Sequence, residues 1–281
     1  MITLAPGSYS GTITVSSPSV PGGNQTVTVN LTVTAGPTPV VLSITNAGSL
    51  QPGAISPGEI ISIFGNNIGP AAPTSGTGFQ PTSAGTVPTT LAGATVTINN
   101  VPAPLIFVGP NQINAIVPYQ VAGQSTASLT VSLNGSTSAA TSVQVVPTAP
   151  SIFTLSQNGS GQGAILNQNG SVNSTSNPAA KGSVIQIFAT GEGQLVPGVQ
   201  TGCMSGPSLP LPVPVATPVS VTIGGQSATP IQYAGEAPAL VCGVIQVNAT
   251  VPANIGSGPQ QVVLTIGNAT NVQQNVTVQV Q

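Results

Sequence analysis

Residues 25–34 read QTVTVNLTVT, with apolar side chains at every second position. Val27, Val29, Leu31 and Val33 fall on one side, and Thr26, Thr28, Asn30, Thr32 and Thr34 on the other. A period of two belongs to a strand with one covered face. Tyr9, Ile13 and Val15 set up the same alternation in the preceding run, and Pro18, Pro21, Gly22, Gly23 and Asn24 supply a turn between the two. The pattern predicts an amphipathic β-hairpin within residues 1–36. A lone hairpin is marginal in water. Burying its apolar side chains, at roughly 1.5–3 kcal/mol each, is worth on the order of 10–20 kcal/mol as an upper bound. The hairpin therefore needs a partner surface, in this chain or in another copy.

The patterning downstream repeats. GEIISIFGNNIGP (58–70) returns as GSVIQIFATGEGQ (182–194), ATVTINNVPA (94–103) as VSVTIGGQSA (219–228), and QINAIVP (112–118) as QVNATVP (246–252). Each segment closes with an alternating hairpin, SLTVSLNGSTSAATSVQVV and QVVLTIGNATNVQQNVTVQV, turning at Asn134-Gly135 in the first and at Gly267-Asn268 in the second. Matches in the same order indicate tandem duplication. The second copy is longer between its second and third matching segments, and the extra residues include Cys242. Short strands bounded by Gly, Pro and Asn-Gly, without useful helical periodicity, predict an all-β chain. It consists of two tandem immunoglobulin-like β-sandwiches, residues 37–147 and 148–281, plus the N-terminal β-hairpin. The joint at Pro147-Thr148-Ala149-Pro150 is short and stiffened by proline.

These phrases carry a resemblance. PGEIISIFG, TVTINNVPA, QINAIVP and LTVSLNG resemble the IPT/TIG type of immunoglobulin-like domain. From about residue 40 to residue 280, PLIFVGPNQINAIVPYQV, PSIFTL, GQGAILNQNGSVN and IQIFATGEGQL are similar to a C-terminal domain of large secreted acidobacterial (Solibacter-type) proteins. The opening hairpin resembles the last strands of a BACON-like domain. The resemblance implies fold and an extracellular place and brings no activity with it.

Composition narrows the chemistry. Charged residues are 1% of the chain, against about 25% in ordinary proteins. They are Glu59, Lys181, Glu192 and Glu236, and there is no His. One lysine cannot drive the counterion release of nucleic-acid binding. No run reaches the roughly 18–20 apolar residues of a membrane span, and the opening residues show no export signal. A net charge of -2 leaves little repulsion between copies. So few titratable groups predict a stability nearly flat between about pH 5 and pH 9.

No catalytic, cofactor-binding or metal residue is expected. A serine nucleophile has no base beyond Lys181. Glu59, Glu192 and Glu236 could meet at the roughly 5–9.5 Å that glycoside hydrolysis uses, but Trp is absent and aromatics are 3%, so no stacking platform flanks them. Cys203 and Cys242, without a His or carboxylate cluster, make a poor zinc site and are expected to form a disulfide. Lys181, in the turn-like NPAAKGS, is either a solvated ammonium or half of a Lys–Asn cross-link. The triplets at Asn24, Asn30, Asn134, Asn158, Asn169, Asn173, Asn248, Asn268 and Asn275 are candidate glycan acceptors.

The expected function is a non-enzymatic extracellular structural protein. In this reading it is a subunit of a self-assembling filament or sheath, joined head to tail through Tyr9, Ile13, Val15, Val27, Val29, Leu31 and Val33 by strand complementation. Its partners are then copies of itself. The alternative is an adhesion or polysaccharide-binding module of a larger surface protein, with cell-surface polysaccharide as partner.

Overall fold

The alternation at the amino end becomes a two-stranded ribbon, β1 (Gly7–Val15) and β2 (Gln25–Val33). Tyr9 stands opposite Leu31, Gly11 opposite Val29 and Ile13 opposite Val27. Opposed residues of an antiparallel pair share a face, so the apolar side chains line one side. Ser8, Ser10, Thr12 and Thr14 line the other, with Thr26, Thr28, Asn30 and Thr32. The ribbon pairs with no further strand among the described residues. The structure is a computed structural model and describes residues 4, 6–16, 23–34, 36–71, 76–270 and 275–281. The expected turn residues Pro18, Pro21 and Gly22 lie outside these.

The first sandwich follows. β3 (Val40–Asn46), β4 (Ile60–Asn66), β5 (Ala94–Ile98), β6 (Leu105–Val108), β7 (Gln112–Ile116), β8 (Thr126–Leu133) and β9 (Thr141–Gln144) are its main strands. One sheet runs β3-β4-β7-β6, and the other places β8 between β9 and β5. Ile61, Ile63 and Ile113 from the first meet Val96, Ile98, Leu129 and Val131 from the second in a closed core. Leu133 pairs with Ser136 across a two-residue turn, with positive φ at both Asn134 and Gly135. That is the backbone an Asn-Gly hairpin turn requires.

The second sandwich repeats the plan with β10 (Val184–Thr190), β11 (Val219–Ile223), β12 (Ile231–Glu236), β13 (Ile245–Thr250), β14 (Gly258–Ile266) and β15 (Val276–Val280). The duplication extends to register. Ser62 opposes Asn114 and Ile63 opposes Ile113 in the first copy, while Gln186 opposes Asn248 and Ile187 opposes Val247 in the second.

The short proline joint does not hold the sandwiches together by itself. A third apolar cluster lies between them, with Ile60, Val87 and Ile116 from one side and Ala237 and Val244 from the other. Thr190 stitches across it: its hydroxyl accepts from the Ile60 N–H at 2.8 Å and donates to the Gly243 carbonyl at 2.7 Å. Gln194 reaches back to donate to the Tyr119 carbonyl at 2.8 Å.

Candidate functional site

Two features stand apart from ordinary sandwich packing, one on the surface and one buried. The surface feature is the ribbon. Ile13, Val15 and Val27 are 58%, 60% and 57% exposed, and Tyr9, Val29 and Leu31 are also exposed. Val33, closest to the sandwich, is partly covered. The first sandwich therefore does not supply the cover that the alternation calls for. Nearby Val40 and Leu42 on β3, an edge strand, are exposed as well.

The buried feature gathers all three carboxylates at the junction. Glu59 precedes β4, Glu192 follows β10 and Glu236 ends β12, and each is almost wholly buried. Ser56 donates to Glu59 Oε2 through its N–H at 2.7 Å and its hydroxyl at 3.2 Å. Burial pushes the Glu59 carboxyl up to about 8, against the downward pull of Ser56 and Asn46. Glu236 takes hydrogen bonds from the Gly243 N–H at 3.2 Å and the Ser205 hydroxyl at 3.1 Å. Burial still raises it to about 7.

Neither oxygen of Glu192 receives a hydrogen bond from a backbone or hydroxyl donor. Burial first, and the Glu236 charge second, hold Glu192 well above the ordinary carboxylate range. Keeping Glu192 protonated removes a second negative charge from beside Glu236, which is the state that burial and the Glu236 charge both favour. Tyr119 lies beside them, its phenol raised by burial and by the two carboxylates.

This arrangement predicts a stability that depends on pH, the opposite of the flat profile expected from composition. Few titratable groups do not mean few shifted ones, because every acidic residue here has been taken out of water. The folded chain is also less negative near neutrality than its formal charge. Solvent does not reach Glu59 or Glu192 in this conformation.

A sequence signal for the cluster existed. Each Glu follows a glycine, in Gly58-Glu59, Gly191-Glu192 and Gly235-Glu236, and the backbone packs too closely there for a side chain. A Cβ on Gly58 would stand 2.6 Å from the Tyr119 ring, and one on Gly235 would stand 2.7 Å from the Tyr233 hydroxyl.

Cys203 and Cys242 are joined, with Cα atoms 5.4 Å apart. Their bond pins the loop that brings Ser205 and Gly243 to Glu236. Lys181 sits in an exposed turn. Asn24, Asn30, Asn134, Asn158, Asn169, Asn268 and Asn275 are exposed, and Asn248 is half-buried.

Asn173 is corrected as a glycan acceptor in the folded chain. It is fully buried, its Nδ2 donating to Asn167 Oδ1 and to the Gln279 carbonyl, both at 2.9 Å. Its Oδ1 accepts from the Gln279 N–H and from Gln162 Nε2. Both ends of the amide are occupied, so a sugar has no room.

Among curated proteins none matches the chain. Three solved structures align over most of it. One is SGBP-B of the Bacteroides ovatus mixed-linkage glucan utilization locus, in complex with a mixed-linkage heptasaccharide. It is 14% identical at a TM-score of 0.33, over 99% of this chain and 54% of that one, so the chain spans about half its length. The I9-I11 tandem from titin is 11% identical at a TM-score of 0.22, over 96% and 73%. Domains 5-6 of the S-layer protein SbsC are 16% identical at a TM-score of 0.27, over 86% and 98%. Likenesses this distant carry no functional inference. Residues 39–145, the first sandwich, match the IPT/TIG domain.

Proposed function

We propose that the chain is a non-enzymatic extracellular structural module whose N-terminal ribbon docks on a second copy, joining subunits head to tail. The observation that carries this reading is the uncovered apolar face of β1 and β2. Six exposed apolar side chains on one side of a ribbon, with only Ser, Thr and Asn on the other, form a surface made to be covered on one face. Each strand also keeps one unpaired edge among the described residues, so main-chain hydrogen bonds can add to side-chain burial. A head-to-tail contact of this kind propagates when its rotation does not close.

Near-neutrality favours the same outcome, because copies repel each other weakly. An extracellular place is supported by the Cys203–Cys242 disulfide and by the resemblance of residues 40–280 to domains of secreted proteins. The exposed asparagines of the Asn-x-Ser/Thr triplets are then available to glycosylation.

Light scattering and negative-stain microscopy of the full chain test the reading, beside Val29→Asp/Leu31→Asp and a form lacking residues 1–36. The full chain should assemble. Both altered forms should be folded monomers, because the ribbon lies outside both apolar cores. Assembly that persists without the ribbon, or a full chain that stays monomeric at high concentration, refutes the proposal.

A further inference from the structure

Between the two sandwiches, on the outer face of β4 and β7, opens a cleft of about 580 Å³, inside the range of roughly 300–1,000 Å³ typical of ligand sites. Its apolar lining comes from both sides, with Phe64 and Ile106 from the first sandwich and Phe153 and Val244 from the second. Both phenylalanines are only partly covered, so ring surface is open to an occupant. Beside them runs a row of uncharged polar groups. Ser62 Oγ donates to Asn114 Oδ1 at 3.0 Å, and Gln112 Nε2 donates to the same oxygen at 2.9 Å. Two donors on one oxygen decide which way the Asn114 amide faces. Among the described residues, its Nδ2 donors and the Gln112 Oε1 acceptor take no protein partner and are left for whatever enters. Gln157, exposed at the rim, adds another amide.

The chemistry of the occupant follows from what the lining lacks. None of the described residues around the cleft is charged, so an ionic ligand would give up hydration with no counter-charge in return. A purely apolar ligand would strand the oriented amides. An extended peptide gains most of its affinity from a sheet edge, but β4 lies between β3 and β7, and β7 between β4 and β6, so neither offers one. What remains is a chain with apolar C–H faces for the rings and many uncharged hydroxyls for the amides. We propose that this cleft is a subsite for a neutral oligosaccharide, formed only when both sandwiches are in place and independent of the ribbon.

Calorimetric titration of the full chain with cellohexaose, laminarihexaose and maltohexaose tests this, with polygalacturonate as the charged counterpart and a neutral Ser/Thr/Val peptide as the strand counterpart. At least one neutral hexasaccharide should bind saturably. Phe153→Ala should weaken it roughly tenfold, as loss of an aromatic anchor does. Gln112→Ala and Gln157→Ala lie outside both cores, so they keep the test readable should Phe153→Ala unfold. Each should weaken binding several-fold with an unchanged Tm. The proposal is overturned if none of the three sugars binds at low-millimolar concentration, if binding survives all three substitutions, or if the polyanion or the peptide binds more tightly than the sugars.

Discussion

Raising the pH from 5 to 9 should loosen this protein, and the junction carboxyls set by how much. Glu59 moves from 4.5 to about 8 on folding. A carboxyl whose folded pKa lies above its unfolded one binds more protons when folded between those two values, so stability falls as the pH rises through that window. The contribution is fully present below about pH 4.5 and is gone above about pH 8. At about 1.4 kcal/mol per unit, Glu59 alone removes on the order of 4 kcal/mol between pH 5 and pH 9. For a chain of this size that is a fall in Tm of roughly 10 °C. The Glu192–Glu236 pair acts in the same direction, since both members are raised.

Differential scanning calorimetry at fixed ionic strength reads the effect. Glu59→Gln should flatten the profile by holding Tm up at pH 9 while leaving pH 5 little changed, because the amide copies the protonated acid. Glu192→Gln should do likewise, because a neutral amide cannot add a second buried charge beside Glu236. A wild-type Tm constant within about 2 °C across the range would refute the reasoning, since that shift is only about 1 kcal/mol in scale, a fraction of the change expected. So would a profile as steep in the double Gln variant as in the wild type.

Three further outcomes are expected. Reducing the Cys203–Cys242 bond, which spans a sequence separation of 39, should cost roughly 4 kcal/mol in denaturant unfolding by loop-closure entropy; an unchanged midpoint in reductant would contradict this. Gly58→Ala places a Cβ 2.6 Å from the Tyr119 ring at a φ of 76° and should cost roughly 2–4 kcal/mol. Gly11→Ala, with nothing within 4 Å, should be neutral in the same melts. Thr190→Val removes the hydroxyl that serves Ile60 N–H and the Gly243 carbonyl. It should cost roughly 2–4 kcal/mol by stranding two buried groups, and hydrogen exchange at Ile60 should speed up.

Much of the architecture was legible because β-structure writes itself locally. The alternation of β2, the Asn134-Gly135 turn and the recurrence of Ile61, Val96 and Asn114 as Ile185, Val221 and Asn248 announced strands, a hairpin and a duplication. The structure carries the duplication down to equivalent registers. The cysteines were expected to pair because they are the only two, and they do. The acidic residues were misjudged for the opposite reason. Counting Glu59, Glu192 and Glu236 gives the charge of the unfolded chain, whereas their titration depends on what covers them.

Which side chains share a face, where the chain turns and that the fold is built twice were settled by the order of residues, since pleat and turn chemistry act over a few positions. What happens to a carboxyl, an asparagine or a phenylalanine was settled only by long-range closure. The Ile60 N–H meets Thr190 across a sequence separation of 130, and Asn173 meets Gln279 across 106. Desolvation is a property of the packed surroundings, and those surroundings exist only once the two sandwiches have met.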